Sequence, residues 1–411
     1  MKILIAPNSF KESLSSVQIS KILSEEFAEE NNFQLIVLPL SDGGDGFLEV
    51  IKFISGNEIF EQNFSIEFAD EKFSAPVLFN KSGKEVFIES AEIIGLKKLP
   101  KQKRNPLRLN TFPLGRLIQD LLKSKNSDSV PFFEKMIIGV GGTSTIDFGL
   151  GAANALGVKF LDSYGKEVEP IPANFSLISE IILPSSSNHP IKQSFNHSIK
   201  QSFNHSIKQS NNHSIIQSSN HSILKCVADV QTPLLGDNSA VDLYGLQKGA
   251  NKNELYLIKK GIEHIVELII KKNLISGSEY INGAGGGLAS GLKIFFDAEI
   301  ISAKDFIFEK ILVDKELSEI DFLITGEGRF DIQSFEGKAT GELIKKLSDK
   351  VKRIFLVCGR IENDVKNLLP GNVQCFQLID LFKDEKESLL KTESGLKIMA
   401  KQIKSYLKNE I

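Results

Sequence analysis

The sequence lacks the features that mark secreted, metal-stapled and membrane proteins. Its three cysteines include no C-x-x-C pair, so they indicate neither a disulfide framework nor a zinc site. No apolar run approaches the roughly 18 residues that a membrane-spanning helix needs. The apolar start at 1–6 is too short for the core of a signal peptide. These absences predict a protein of the reducing cytoplasm with no membrane partner.

An excess of basic charge is also absent. The formal net charge is −3, which gives no electrostatic case for binding to nucleic acid or to an anionic membrane surface. Apolar residues make up 41% of the chain and charged residues 25%, as is usual for globular proteins. At 411 residues the chain is long enough for two domains.

The common nucleotide-binding and hydrolase fingerprints are missing. No stretch fits the P-loop pattern G-x-x-x-x-G-K-[ST], because Gly337 and Lys338 lack the glycine five positions earlier, and none fits G-x-G-x-x-G. Ser144 does not lie in a G-x-S-x-G elbow. His264, which lies outside a histidine repeat described below, falls on a long predicted helix and reads as structural.

The chain does contain loops that are rich in glycine and in polar or charged side chains. Most of them directly follow a short apolar run that predicts a buried strand. The clearest, TGEGRFDIQSFEGK at 325–338, follows the apolar run at 321–325. In a parallel sheet the carboxyl ends of the strands share one edge, where ligands bind, so we expect several loops to converge. A solvated turn with salt bridges is the alternative for any single loop. The six loops are 7–13, 41–46, 139–149, 229–250, 282–291 and 325–338.

Two kinds of strand pattern divide the chain. The opening, with a predicted strand at 2–6, a helix at about 15–30 and a strand at 33–40, is a strand–helix–strand unit and predicts a parallel sheet. From about 59 to 89, short alternating apolar runs predict antiparallel strands instead. This change predicts a second domain of different architecture.

The ionisable residues of these loops match the requirements of phosphoryl transfer. Mg²⁺ needs one or two carboxylate oxygens, and phosphates need N–H donors and cations. An acceptor alcohol needs a carboxylate within hydrogen-bond reach. The residues alone therefore predict a cytosolic α/β enzyme that depends on magnesium and a nucleotide. The acids are Asp42, Asp45, Asp147, Asp229, Glu327 and Asp331, and the bases are Lys11, Lys248, Arg329 and Lys338.

Residues 185–225 consist of drifting copies of the octapeptide NHSIKQSF, which place five of the six histidines at intervals of eight. Abundant serine and asparagine with few aromatics favour a surface insertion without fixed structure. Metal binding is an alternative, although this spacing in a flexible strand preorganises no site. A β-hairpin arm is another, because the even spacing would put Ile and Phe on one face. The Asn-His-Ser triplets match a glycosylation pattern, but no secretion signal accompanies them.

Seven stretches together resemble the glycerate kinase family, the non-P-loop type that begins with an APDSFKGS-like stretch. They occur in the family's order and span nearly the whole chain, apart from the histidine repeat. They are APNSFKESLS (6–15), LPLSDGGDG (38–46), GVGGTSTIDFGLGAANALG (139–157), ADVQTPLLG (228–236), YGLQKGA (244–250), GAGGGLASGL (283–292) and TGEGRFDIQSFEGKATG (325–341).

The resemblance implies ATP-dependent phosphorylation of D-glycerate with Mg²⁺, and 2-phosphoglycerate is the favoured product. It also implies an α/β fold of two domains with the active site in the cleft between them. One domain would be flavodoxin-like, with a parallel sheet, and would consist of 1–58 and 286–411. The other, 59–285, would be an inserted mixed-sheet domain that contains the repeat. The expected partner is D-glycerate rather than nucleic acid, and the expected assembly is a monomer or a homodimer.

The same resemblance assigns the site residues by motif. Asp331 or Asp45 would be the carboxylate near the attacking hydroxyl or the metal, and Lys11 and Arg329 would neutralise the glycerate carboxylate or the phosphates. The residues expected to be catalytic are Asp331, Asp45, Lys11 and Arg329, and those expected to bind substrate are Ser9, Lys11, Asp42 and Arg329. The residues expected to bind the nucleotide are Gly141, Gly142, Thr143, Ser144, Asp229, Lys248, Gly285, Gly286 and Glu327, and the expected metal ligands are Asp45 and Asp229.

Several positions depart from the family's usual pattern. Ile146 replaces an Asn and Phe148 replaces a Gly beside the expected phosphate loop, so a polar group and a small one are lost there. A divergent or inactive homologue that acts as a small-acid or nucleotide-binding module is therefore the alternative. The other departures are Asn8 for Asp, Glu12 for Gly, Thr232 for Asn and Ile332 for Gly.

Overall fold

The chain forms two compact units in the computed structural model, Met1–Gly56 with Ser302–Ile411 (unit 1) and Asn57–Ile301 (unit 2). The predicted site residues Lys11 and Asp229, and the histidine repeat up to residue 222, lie outside the described residues. Within the described ranges no helix has the length and apolarity needed to cross a bilayer. The structure describes residues 1–10, 13–28, 32–81, 84–124, 133–184, 223–228, 232–303, 305–306, 319–335 and 337–408.

The elements follow in chain order. The strands are β1 (Lys2–Pro7), β2 (Gln34–Val37), β3 (Ile59–Phe68), β4 (Glu71–Asn80), β5 (Glu85–Glu89), β6 (Lys135–Val140), β7 (Lys159–Leu161), β8 (Glu180–Ile182), β9 (Leu224–Ala228), β10 (Glu299–Ser302), β11 (Phe322–Gly326), β12 (Arg329–Phe330), β13 (Arg353–Cys358), β14 (Arg360–Ile361) and β15 (Val373–Gln377). The helices are α1 (Ser16–Ala28), α2 (Phe47–Ser55), α3 (Ser90–Ile94), α4 (Phe112–Ser124), α5 (Leu150–Ala155), α6 (Ala240–Gly245), α7 (Lys252–Lys271), α8 (Leu288–Phe296), α9 (Ala339–Leu347), α10 (Asn363–Lys366), α11 (Glu385–Leu390) and α12 (Thr392–Lys408).

A five-stranded parallel sheet forms the centre of unit 1. Its strand order is β15-β13-β11-β1-β2, and each neighbouring pair is parallel. Counted along the chain this is the 2-1-3-4-5 order of flavodoxin-like folds, so the predicted fold of this unit is confirmed. The direction of winding reverses between β1 and β11. Such a switch point opens a crevice at the carboxyl ends of the strands.

Alternate residues of β1 bury against the two faces of this sheet, as the two-residue period of a strand requires. Ile3 and Ile5 pack in a core that includes Leu23 of α1 and Leu396 of α12. Leu4, on the opposite face, packs in the core that includes α9. Helices on both faces explain why the strands read as continuous apolar runs rather than as alternating ones.

Unit 2 contains a six-stranded mixed sheet in the order β10-β9-β6-β5-β4-β3. The strands β5, β6 and β9 are parallel, whereas β3, β4 and β5 are antiparallel. The antiparallel strands predicted within 59–89 are therefore confirmed. The turn between β3 and β4 places Ala69 at φ 51° and Asp70 at φ 63°, because a tight two-residue hairpin needs positive φ at both central positions.

The second boundary of the predicted flavodoxin-like domain differs from the division in the structure. The prediction placed residues 286–301 in that domain, whereas they belong to unit 2. The physical reason is the core of unit 2, in which Leu288, Leu292 and Phe295 of α8 are buried. In addition, β10 lies at the edge of the mixed sheet beside β9.

Candidate active site

The candidate site of unit 1 lies at the switch point, where β1 and β11 end side by side. Asn8 directly follows β1, and its backbone N–H donates to the carbonyl of Gly326, the last residue of β11, at 2.7 Å. Glu327 is the next residue. At Gly326 the backbone of β11 lies so close to that of β13 that a Cβ atom would meet the carbonyl oxygen of Val357 at 1.6 Å. Packing around Gly326 therefore fixes the backbone that carries Glu327.

Asp42, in the loop after β2, is bound to both neighbouring segments. Its Oδ2 accepts from Nδ2 of Asn8 at 2.6 Å, and its Oδ1 accepts from the backbone N–H of Ala339 at 3.2 Å. The amide of Asn8 is oriented by its other atom, because Oδ1 accepts from the N–H of Ser9 at 2.8 Å. The departure at position 8 thus places a hydrogen-bond donor beside Asp42, where an aspartate would place a second negative charge.

Glu327 is a buried carboxylate, with 7% of its surface exposed. Burial raises its pKa from an ordinary 4.5 to about 7; Lys338 opposes this rise, and the charges of Asp42 and Asp331 add to it. Its Oε1 atom has no hydrogen-bond partner within the described ranges. A buried acceptor without a partner lowers the stability of the fold, so Oε1 of Glu327 has no evident structural role.

Asp331 and Lys338 complete the group that we call the carboxylate cluster, which is Asp42, Glu327, Asp331 and Lys338. The ammonium of Lys338 lies 3.7 Å from Oδ1 of Asp331. The hydroxyl of Ser334 accepts from the N–H of Asp331 at 3.1 Å and can donate to Oδ1 of the same residue at 3.4 Å. Three acids and one base, from the loops after β2 and β11, thus share this edge of the sheet.

The other predicted residues of unit 1 are placed differently. Arg329 lies on the two-residue strand β12, with 69% of its side chain exposed, and pairs with Glu362 at 2.9 Å. Asp45 is exposed in the loop before α2, and Ser9 is half-buried. The structure therefore brings Asp42, Glu327 and Asp331 into one electrostatic group, and it leaves Arg329 in a surface ion pair.

Unit 2 carries a second group of buried polar residues in the loops after β6 and α6. Lys248 donates to Oγ1 of Thr143 at 3.0 Å and to the carbonyl of Thr145 at 2.8 Å. Burial lowers its pKa to about 7, against the opposing attraction of Asp147. We call Lys248, Thr143, Thr145 and Asp147 the lysine cluster.

The carboxylate of Asp147 connects the starts of two helices, α4 and α5. Its Oδ2 accepts from the N–H and the hydroxyl of Thr111 at 2.8 and 2.7 Å, and from the N–H of Gly151 at 2.9 Å. Burial raises the pKa of Asp147, and these hydrogen bonds oppose that rise. Sequence reasoning missed Thr111, although a threonine directly before a helix is the usual N-cap signal. Oδ1 of Asp147 and Oγ1 of Thr145 have no partner among the described residues.

Several groups predicted to bind phosphate are engaged within the protein. The N–H of Gly141 donates to the hydroxyl of Ser90 at 3.2 Å, and the N–H of Gly286 donates to the carbonyl of Gly283 at 3.0 Å. The hydroxyl of Ser144 donates to the carbonyl of Ile94 at 2.9 Å. These groups shape the loop, and their predicted role as phosphate ligands stays a prediction. Gly142 is exposed and Gly285 is half-buried.

The two departures in this loop are accommodated in the core of unit 2. Ile146 and Phe148 are both fully buried there. Phe148 adopts φ 57°, a left-handed conformation that is unfavourable for a bulky side chain. Burial of the ring therefore offsets backbone strain at a position where the family usually has glycine.

Of the predicted metal ligands Asp45 and Asp229, only Asp45 lies within the described residues, and both stay predictions. No group of three or more His, Cys, Asp or Glu side chains within the described ranges, which include Asp45 and do not include Asp229, could hold a metal ion.

Comparison with known proteins now places the chain. The sequence profile described as "Glycerate kinase family" matches residues 3–408. The chain belongs to the glycerate kinase family. Membership of this kinase family implies a kinase that acts on a small-molecule substrate, which agrees with an acidic cluster at a sheet edge and with the lack of a basic excess.

Relatives in the glycerate kinase family cover most of the chain. A glycerate kinase of Neisseria meningitidis serogroup B is 30% identical over 392 residues, which are 95% of this chain and 94% of that protein. A glycerate 2-kinase of Escherichia coli K12 is 29% identical over 89% of this chain and 87% of that protein. A solved structure described as putative glycerate kinase 2 from Salmonella typhimurium LT2 has a TM-score of 0.71 at 23% identity and covers 100% of this chain and 99% of its own. At this identity the structural likeness shows the fold alone.

Proposed function

We propose that the chain is a kinase with an alcohol acceptor that transfers the γ-phosphoryl group of ATP to D-glycerate, with Mg²⁺ and with 2-phosphoglycerate as the favoured product. The carboxylate cluster at the switch point of unit 1 is the observation that carries the proposal. It supplies a carboxylate for an attacking hydroxyl and a lysine for an anion in one crevice. The names of the relatives in Neisseria and Escherichia support the choice of glycerate.

Recognition of glycerate needs cations for its carboxylate and polar groups for its hydroxyls. Lys338 in the carboxylate cluster can bind one anion, and Arg329 can bind another if it exchanges its partner Glu362. Ser9 and Asp42 follow adjacent strands at the same edge and can bind hydroxyl groups. Lys11 is proposed for the same task from its motif.

Binding of the nucleotide is assigned to the lysine cluster of unit 2. An ammonium group has three donors, and Lys248 uses two of them within the protein. The hydroxyl of Thr145 is buried with no partner in the described residues. A lysine and a hydroxyl beside glycine-rich loops are groups that bind phosphate oxygens, so these residues fit a nucleotide.

Mg²⁺ would shield the charge that develops on the phosphate oxygens during transfer. It usually retains several waters and takes only one or two protein carboxylates. The absence of a three-ligand cluster among the described residues is compatible with this chemistry. Asp45 and Asp229 are proposed as the carboxylates. A cytoplasmic location and a monomer or homodimer stay predictions from the sequence.

The direct test is to incubate the purified protein with ATP, Mg²⁺ and D-glycerate and to follow the phosphorus NMR spectrum. We expect ADP and a phosphoglycerate whose signal is a doublet, because a phosphate on carbon 2 couples to a single methine proton. A triplet would indicate phosphate on carbon 3 and would correct the product. Absence of ADP would contradict the kinase assignment for this chain.

A binding module for a small acid or a nucleotide is the second candidate. The observation in its favour is the lysine-cluster loop, where Phe148 is buried and the N–H of Gly141 is engaged. The same preparation distinguishes the two. A rise in melting temperature with D-glycerate or ATP, without release of ADP, would favour the binding module.

A further inference from the structure

We propose that Glu327 accepts the proton of the attacking hydroxyl group when the small-acid substrate is phosphorylated. The inference rests on the proposed function and assigns to one side chain the role that the motifs left to Asp331 or Asp45. The carboxylates at this sheet edge differ in free acceptor capacity, in position and in burial.

Asp42 has both carboxylate oxygens engaged by the protein. Oδ2 accepts from the amide of Asn8 at 2.6 Å, and Oδ1 accepts from the N–H of Ala339 at 3.2 Å. These bonds join the segment after β1 and the start of α9 to the loop after β2. Asp42 therefore acts as a positioning residue, and its remaining lone pairs can still accept from a substrate hydroxyl.

Asp331 and Asp45 are also less suited to accept a proton. Oδ1 of Asp331 faces the ammonium of Lys338 at 3.7 Å and the hydroxyl of Ser334 at 3.4 Å. This oxygen is therefore already engaged by a cation and a hydroxyl group. Asp45 is exposed to water and makes a further interaction within the chain, so it does not offer a substrate hydroxyl a position from which water is excluded.

Glu327 differs from these carboxylates in position and in hydrogen bonding. It directly follows β11 at the switch point, and Oε1 has no partner within the described ranges. The hydroxyl of Ser334 is a possible donor to both Glu327 and Asp331, but it has only one proton and can donate to one of them at a time. With 7% of its surface open, the side chain can meet one substrate hydroxyl while most water is excluded.

The backbone at Glu327 is held on both sides. The close approach of Gly326 to Val357 fixes the preceding residue, and the carbonyl of Glu327 accepts from the N–H of Gly359 at 3.3 Å. A base on a fixed strand end meets the geometric requirement for catalysis better than one on a mobile loop. Burial also brings the pKa of this carboxyl to about 7, close to the value at which a base is most effective near neutral pH.

The proposed step is a direct transfer. The hydroxyl proton of D-glycerate passes to Glu327 as the hydroxyl oxygen forms a bond to the γ-phosphorus of ATP. The bond from that phosphorus to the bridging oxygen breaks, and its electron pair leaves with ADP. Glu327 then returns the proton to solvent. No other reactant is needed.

The test compares Glu327→Gln with the matched control Asp321→Asn. Asp321 directly precedes β11, at the opposite end of the same strand, where it accepts from the N–H of Lys2 at 2.9 Å. We expect Glu327→Gln to lower kcat by about 100-fold or more, while the shifts in melting temperature caused by D-glycerate and by ATP stay as in wild type. Asp321→Asn should keep kcat within about threefold, because its carboxylate lies at the other edge of the sheet.

The pH profile separates a proton acceptor from a structural role. In wild type kcat/KM for D-glycerate should fall below about pH 7, and this fall should vanish in the residual activity of Glu327→Gln. Glu327→Asp should retain the fall with partial activity, and this variant carries the test if the glutamine variant does not fold. Glu327→Gln with a kcat within about threefold of wild type, or Glu327→Asp without the fall, would overturn the inference alone. A wild-type protein without activity would overturn the proposed function and the inference with it.

Discussion

The two units bury opposite kinds of ionisable group at their candidate sites. In unit 1 burial raises the pKa of an acid, Glu327, to about 7, whereas in unit 2 it lowers the pKa of a base, Lys248, to about 7. The cause is the same in both units, because loss of hydration disfavours the charged form of any group. One physical effect thus produces a carboxylate that can accept a proton and a lysine that can gain charge when an anion binds.

The comparison also separates the two loops that surround these groups. In unit 1 a glycine, Gly326, allows the close approach of β11 to β13. In unit 2 a phenylalanine, Phe148, occupies a left-handed conformation, and core packing holds it there. Glycine is the usual residue where two backbones approach closely, as at Gly326. At Phe148 burial of the ring offsets the cost of the strained backbone.

The largest effect on the free energy of unfolding is expected for Lys248→Met. The folded pKa of Lys248, about 7, lies below its ordinary 10.5, so between these values the unfolded chain binds a proton that the folded chain does not. The stability of wild type relative to the variant should therefore fall as pH is lowered from about 10.5 to about 7, by about 5 kcal/mol. Urea unfolding across this range measures it, with the exposed Lys252→Met as control.

A constant difference between wild type and Lys248→Met over this range would show that Lys248 keeps its full charge in the folded protein. Burial would then shift the pKa of the acid in unit 1 but not that of the lysine in unit 2. Lys252→Met should show no such trend, because Lys252 is exposed at the start of α7.

The next effect concerns strain at Phe148. Phe148→Ala should lower the free energy of unfolding by about 3–5 kcal/mol through loss of the buried ring. Phe148→Gly removes the same ring but relieves the left-handed backbone, worth about 1–2 kcal/mol. We therefore expect Phe148→Gly to be no less stable than Phe148→Ala in urea unfolding. A glycine variant that is clearly the weaker of the two would contradict the strained conformation.

Glu327→Gln should produce the mirror image of the lysine result. The folded pKa, about 7, lies above the ordinary 4.5, so between these values the folded chain holds a proton that the unfolded chain has lost. This stability is complete below about pH 4.5 and disappears as pH rises through about 7, a change of about 3 kcal/mol relative to the variant. A trend of the opposite sign would mean that Lys338 dominates over burial at this site.

The smallest effect is expected at Asn8. Asn8→Asp would bring a second carboxylate within about 2.6 Å of Asp42, where two negative charges repel and one retains a proton. We expect a loss of about 1–2 kcal/mol at pH 8 that fades toward pH 5. Asn8→Ala, which removes the hydrogen bond without adding charge, should cost about 1 kcal/mol at either pH. A variant pair with equal pH dependence would exclude charge repulsion as the cause.

Convergence of the strand ends could be predicted from the sequence, because parallel strands end at one edge. Several of the six loops were expected to converge, and in the structure Asp42, Glu327 and Asp331, from two of these loops, lie in one electrostatic group. The sequence could not show which of the three loses its water. That depends on Gly326 packing against Val357 and on hydrogen bonds from Asn8 and Ala339 to Asp42. The two hydrogen bonds to Asp42 join residues that are 34 and 297 positions apart, so no local sequence pattern predicts them.

The lysine cluster shows the same limit. Lys248 was expected near phosphate, but its insertion between Thr143 and the carbonyl of Thr145 joins segments more than 100 residues apart. The support of Asp147 by Thr111 was likewise invisible to the motifs. The predicted boundary at 286 differs from the division in the structure because the apolar face of α8 packs in the core of unit 2.

The central claim is that this chain transfers a phosphoryl group from ATP to D-glycerate with a base that titrates near neutrality. The most direct measurement is the rate of ADP release by wild type as a function of pH. We predict release only when D-glycerate, ATP and Mg²⁺ are all present, with a rate that falls below about pH 7. Absence of D-glycerate-dependent release between about pH 6 and pH 9, the range in which such a base would be active, would contradict the claim.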